Sequence, residues 1–130
     1  MAEKRISLTQ AEWSVMDCLW DVGPLTGREV VQRMEQSCGW SRSTTLTLLS
    51  RLENKGALES LPAEKGPKVF SPLLKREDAA VEETKNFLNR VYQGSLSLMV
   101  CALTQKQALS REELDELYEL LKGLEEENHA

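Results

Sequence analysis

The sequence predicts a mainly helical fold in two parts: three short helices closed by a β-hairpin, then a second run of helices. Three observations predict it. A hydroxyl residue stands in T-x-x-E or S-x-x-E spacing at Thr9–Glu12, Thr26–Glu29 and Ser110–Glu113, and apolar residues recur at helical spacing after each mark. Between the second and third marks, the stretch from Ala57 to Ser71 changes to alternation around a turn rich in proline and lysine. In each T/S-x-x-E pair the hydroxyl accepts from a free N–H of the first turn, while the carboxylate reaches back to the cap residue. Helix starts are thereby marked.

The first helix is expected over Gln10 to Asp21, with Trp13, Met16, Leu19 and Trp20 on one face and Gly23-Pro24 as its stop. The second runs from Gly27 to about Gln36 and buries Val30, Val31 and Met34. The third lies between Gly39 and Lys55, opened by Ser41, Ser43 and Thr44 and ended by Gly56. At about 100° per residue, Thr45, Leu46, Leu49 and Leu52 share one side of it, and Thr44, Thr47, Arg51 and Asn54 share the other. An apolar face thus opposes a polar one that carries a cation.

Ala57 to Leu61 alternates, Pro62 to Pro67 is a turn with Lys65 in it, and Lys68 to Ser71 is strand-like again, which makes a short hairpin with a basic tip. From Lys75 the helical period returns with Ala79, Phe87, Leu88, Val91 and Tyr92, breaks at Gly94, and resumes with Leu96, Met99, Val100 and Leu103. The last capped segment lines up Leu114, Leu117, Leu121 and Leu124. This half has too many apolar side chains for a solvated tail and too few residues for its own core, so a second copy is expected to cover them.

The chain has 130 residues, 28% of them charged and 41% hydrophobic, an ordinary globular composition for one domain with an appendage. No stretch approaches the ~20 apolar residues of a membrane span. Met1 to Arg5 leads into no apolar signal core, so a cytoplasmic protein without membrane insertion is expected. Cys18, Cys38 and Cys101 are widely spaced, no C-x-x-C pair occurs, and the single histidine is His129. Neither disulfides nor a metal site is expected; each cysteine reads as a small buried hydrophobe in apolar surroundings, against the alternative of a redox or metal switch. There is no P-loop, no G-x-G-x-x-G, no G-x-S-x-G and no H-E-x-x-H, so neither an enzyme nor a cofactor is expected.

The net charge of −5 hides an asymmetry, because residues 1–75 hold ten Lys/Arg against nine Asp/Glu, whereas residues 76–130 hold six against twelve. Trp40 to Lys75 carries six bases against Glu53, Glu59 and Glu64. A locally basic surface on an acidic chain is the charge distribution of a DNA-binding domain. Three helices followed by a hairpin are also the order of a winged helix-turn-helix, and a helix ~10–12 Å across fits a major groove ~12 Å wide. On that reading Thr44 and Thr47 meet base edges, Arg51 meets a guanine or phosphate, Ser41 to Thr44 offer N–H groups to a phosphate, and Lys65 and Lys68 touch the backbone beside the groove. Bland alternatives stand beside each: a solvated helix face, Arg51 paired with Glu53 or Glu12, and lysines that only keep a loop soluble. Trp13, Trp20 and Trp40 are read as core or staple residues rather than base-stacking platforms.

The residues singled out also carry a family likeness. Leu8-Thr9-Gln10-Ala11-Glu12-Trp13-Ser14-Val15-Met16, the Leu19-Trp20 pair, Trp40-Ser41, Thr44 and Thr47, Arg51-Leu52 with Lys55-Gly56, and Asn86 to Tyr92 with Gly94 resemble the BlaI/MecI/CopY penicillinase-repressor family, in register from Ile6 to Leu121. The resemblance implies a homodimeric transcriptional repressor in which a winged helix, residues 6–73, binds a palindromic operator on double-stranded DNA. Helices of residues 74–126 would form the dimer, with Phe87, Val91, Leu96, Met99, Val100, Leu103, Leu114, Leu117 and Leu121 at the contact. By the same resemblance Thr44 and Thr47 are base-contacting residues and Arg51 a groove or phosphate contact, which with the residue reading makes Ser41, Arg42, Ser43, Thr44, Thr47, Arg51, Lys65 and Lys68 the expected DNA-binding set.

In the β-lactam-responsive members a membrane sensor-protease triggers cleavage within the dimerisation helices. Where those members carry an Asn-Phe dipeptide this chain has Ala102-Leu103, and it lacks the C-terminal cysteine cluster of the copper-responsive branch. Ser43 and Leu46 stand where relatives often place lysines. An interaction module that has lost DNA binding is the alternative from another class; steep salt dependence separates the two.

Overall fold

A computed structural model describes residues 6–128, and a helix begins at each of the three hydroxyl–glutamate pairs. Met1 to Arg5 and His129 lie outside the described residues. Helix α1 spans Gln10–Val22, and Thr9 caps it reciprocally: the Glu12 N–H donates to Thr9 Oγ1 at 3.1 Å while the Thr9 N–H donates to Glu12 Oε1 at 2.8 Å. Thr26 and Glu29 repeat the arrangement at the start of α2, Gly27–Cys38. Helix α3, Arg42–Lys55, is capped by Ser41 and ends at Gly56, whose φ of +83° lies in the left-handed region that a side chain disfavours.

Two strands, β2 (Leu58–Leu61) and β3 (Val69–Pro72), form the hairpin, pairing Ser60 with Phe70 and Leu61 with Val69. A third strand was not legible in the sequence: β1, Leu25–Thr26, pairs antiparallel with β3, so the order is β1-β3-β2. Two residues are too short for alternation to register. The core gathers Leu8, Val15, Met16 and Leu19 with Leu25, Val30, Met34, Leu48, Leu49, Leu52, Ala57, Leu58, Phe70 and Ala79.

Three expectations change here. Leu46 was assigned to the buried side of α3 but is exposed, and Leu48 takes its place, because Thr45, Leu48, Leu49 and Leu52 keep the i, i+3, i+4, i+7 stripe that faces α1 and α2. Val31 is only half-buried, whereas Trp13, Trp20 and Trp40 pack against the core as the sequence leads one to expect of core or staple residues. Trp13 and Trp20 meet edge to face at 5.3 Å, and the Trp20 indole N–H donates to the Leu74 carbonyl at 2.9 Å. The cysteines depart furthest: Cys18 is half-buried, while Cys38, at the last residue of α2, and Cys101 are exposed. Cys38 continues the Val30–Met34 spacing but stands at the open end of α2, and Cys101 falls off the apolar side of α5.

Helix α4 spans Arg76–Tyr92, and two compact units divide within it, one reaching to Asn86 and one starting at Phe87. This is later than the boundary after Leu73 expected from the sequence. The start of α4 is tied to the first unit: Arg76 Nη2 bridges Asp17 Oδ1 at 2.8 Å and Asp21 Oδ1 at 2.7 Å, and Ala79 is buried. Asn86 donates to Ser7 Oγ at 3.2 Å.

In the second unit, Gly94 (φ +81°) ends α4, and a Cβ there would lie 3.0 Å from Asn89 Oδ1. Ser95 caps α5, Leu96–Gln105, and Ser110 with Glu113 caps α6, Arg111–Asn128. No described residue of α5 or α6 is buried.

Candidate nucleic-acid interface

Helix α3 presents the candidate face because its two sides have opposite fates. Thr45, Leu48, Leu49 and Leu52 anchor it in the core, which forces Thr44, Thr47, Arg51 and Asn54 to the solvent. Ser41, Arg42 and Ser43 are exposed at its start, and there the three hydroxyls form one cluster: Ser41 Oγ lies 3.2 Å from Ser43 Oγ and 3.0 Å from Thr44 Oγ1. The Thr44 N–H donates to Ser41 Oγ at 3.3 Å, so of the N–H groups expected to be free for a phosphate, that one is taken by the cap.

Arg51 forms no ion pair among the described residues. Both acids that competed for it are otherwise engaged. Lys55 Nζ bridges Glu12 Oε1 at 2.6 Å and donates to the Ser7 carbonyl at 2.9 Å, and Glu53 accepts from Ser60 Oγ at 2.6 Å. Arg51 therefore keeps its donors for an outside partner. Thr45, by contrast, is fully buried, and among the described residues its Oγ1 has no hydrogen-bond partner.

The Glu12–Lys55 pair fixes the start of α1 against the end of α3. Burial pushes the Glu12 carboxyl up, but the hydrogen bond from Lys55 and those from Thr9 outweigh it and hold the group below its ordinary value. Its second oxygen, Oε2, has no partner among the described residues. The charge of Glu12 is thus spent inside the domain, away from the polar face of α3.

Lys65 is exposed in the turn between β2 and β3, and Lys68 is exposed just before β3. Lys68 Nζ lies 5.4 Å from the centroid of the Phe70 ring, a cation–π contact that seats it against the sheet. Phe70 in turn abuts the start of α2, where a Cβ on Gly27 would lie 3.4 Å from Phe70 Cε2. An open groove of about 520 Å³ results, lined by Gly27, Arg28 and Val31 of α2, by Arg42, Leu46, Leu49, Ser50 and Glu53 of α3, and by Pro67, Lys68 and Phe70 of the wing. Arg28 was not singled out in the sequence. α2 was read for its core face, and no spacing rule says that its first turn lies beside a wing some forty residues later.

The residues expected at a dimer contact all lie on the second unit. Phe87, Val91, Leu96 and Leu121 are exposed, and Met99, Val100, Leu103, Leu114 and Leu117 are half-buried. Ala102 and Leu103 lie near the end of α5, both half-buried. No described helix is long and apolar enough to cross a membrane.

Residues 8–123 match the family model described as penicillinase repressor. The methicillin resistance regulatory protein MecI of Staphylococcus aureus strain N315 is 30% identical over 123 residues, 93% of this chain and 98% of that protein. A penicillinase repressor of Bacillus licheniformis is 34% identical over 114 residues, 88% of each chain. Among solved structures, the monomeric form of Bacillus licheniformis BlaI in complex with the blaP half-operator matches with a TM-score of 0.53 and 28% identity, over 59% of this chain and 93% of that one.

Proposed function

The chain belongs to the penicillinase repressor family, and from that membership we propose a homodimeric DNA-binding repressor of a palindromic operator. Like the repressors of that family it is a regulator and not an enzyme. The observation that carries the reading is the outward row of Ser41, Arg42, Ser43, Thr44, Thr47 and Arg51 on a helix whose opposite side is locked in the core. Thr44 and Thr47 offer hydroxyls to base edges and methyl groups to thymine, and Arg51 offers a fork that matches guanine. Lys65 and Lys68 on the wing meet phosphate and set the register of α3 on the duplex.

A second copy supplies the other half-site. The apolar residues of α4, α5 and α6 that find no cover within their own unit support this, since ordinary monomers seldom expose so many large side chains together. Two winged helices held at a fixed separation bind half-sites ~34–36 Å apart, and linking them turns the second contact into an intramolecular event. Release follows from splitting the pair. A cut by a membrane sensor-protease at Ala102-Leu103 fits that logic, and because both residues sit half-buried in α5, cleavage requires the helix to open first.

A mobility-shift titration of the full chain on a duplex from its own upstream region, repeated over a range of salt, tests the reading. Retarded DNA with log K falling steeply in log salt is expected. Absence of binding, or affinity indifferent to salt, would instead point to a winged helix that docks a protein.

A further inference from the structure

We propose that the groove between the start of α2, α3 and the wing holds a DNA backbone phosphate, with Arg28 as a clamp residue alongside Arg42 and Lys68. The inference deepens the DNA-binding reading above and depends on it. Arg28, Arg42 and Lys68 line one open groove of about 520 Å³ together with the apolar side chains of Val31, Leu46 and Phe70. One acid, Glu53, shares the lining, and its carboxylate already accepts from Ser60 at 2.6 Å. Three cations against one engaged carboxylate fit an anion, and a duplex laid on the outward face of α3 brings phosphates to its flanks.

Position rather than charge count gives Arg28 its role. Gly27 lets the Phe70 ring come against the first turn of α2, and Lys68 Nζ sits 5.4 Å from the centroid of the same ring. Arg28, in the turn that this ring abuts, therefore lines one groove with Lys68 of the wing and with Arg42 in the first turn of α3. None of the three forms an ion pair among the described residues. The apolar part of the lining raises the value of the clamp, because charges beside a low-dielectric surface are less screened than charges in open water.

The test uses the full chain and a fluorescein-labelled mixed-sequence duplex, since a phosphate contact is read on any sequence. Wild type, Arg28→Gln and Arg28→Lys are titrated by anisotropy at several salt concentrations. The expectation for Arg28→Gln is a salt slope shallower by about one and an affinity about three- to tenfold weaker, with Arg28→Lys close to wild type in slope. Circular dichroism checks that the glutamine variant keeps its helices. An unchanged slope and affinity in Arg28→Gln, with wild-type binding intact, overturns the clamp while sparing the repressor reading and leaves the groove to some other occupant. Failure of the wild type to bind the duplex overturns both.

Discussion

Lys55 and Glu12 tie the end of α3 to the start of α1, behind the proposed interface. Glu12 is 1% exposed while the Lys55 side chain keeps 36% of its surface, so the pair is closed on one side and wet on the other. Removing the cation leaves a buried carboxylate with only its cap, and Lys55→Met is expected to destabilise the domain by about 1–3 kcal/mol, less than a fully buried pair would cost. Urea unfolding followed by circular dichroism measures it. The pH dependence has a definite sign. A carboxyl held below its ordinary value in the folded state contributes stability that is whole above the ordinary carboxylate range and is lost as pH falls through the folded value. Glu12→Gln should therefore flatten the acid limb of a plot of melting temperature against pH.

Arg51 and the thiols belong to the same scale. With its competitors engaged elsewhere, Arg51→Ala is expected to weaken operator binding by about 1–3 kcal/mol, read by mobility shift. Unchanged affinity would remove Arg51 from the interface. Burial pushes the Cys18 thiol up, whereas Cys38 is open to solvent beside Ser37. A bulky maleimide should therefore label Cys38 in the native protein well before Cys18, with the order read by peptide mass mapping.

Elements obey local chemistry where their ends carry it. All three T/S-x-x-E marks became reciprocal caps, since the hydroxyl and carboxylate need only the first turn of their own helix to find partners. Thr26→Ala should cost about 1 kcal/mol, and Gly56→Ala a similar amount because of its left-handed φ; midpoints of thermal unfolding report both. The side of α3 was legible only in part. Leu46 and Leu48 lie on opposite edges of the line through Thr45, Leu49 and Leu52 in a leucine-rich stretch, so either one could complete the face. The sheet edge resolved it: Leu46 lies in the groove with Phe70 and Gly27, and Leu48 turns inward.

At the scale of the whole molecule, the first unit gathers fourteen apolar residues in one buried cluster, whereas the second buries none in α5 or α6 and leaves Phe87, Val91, Leu96, Leu121 and Leu124 exposed. A second copy is the proposed cover. Phe87→Asp and Leu117→Asp should each shift the chain toward monomer in sedimentation velocity and weaken operator binding in step, because two separate half-site events replace one linked event. An intact dimer in either variant would contradict the assignment of those residues to the contact.

The sequence by itself determined the helix starts, the hairpin, the break at Gly94 and the polar row on α3, because caps, turn residues and period are short-range signals set within one or two turns of chain. Tertiary structure alone decided which acid takes Lys55, that Cys38 is exposed, that β1 joins the hairpin, and that Arg28 faces the wing. Each of these depends on residues far apart in the chain meeting across the core or a groove. Such meetings are set by how the stripes of several elements interlock, which no single stretch of sequence contains.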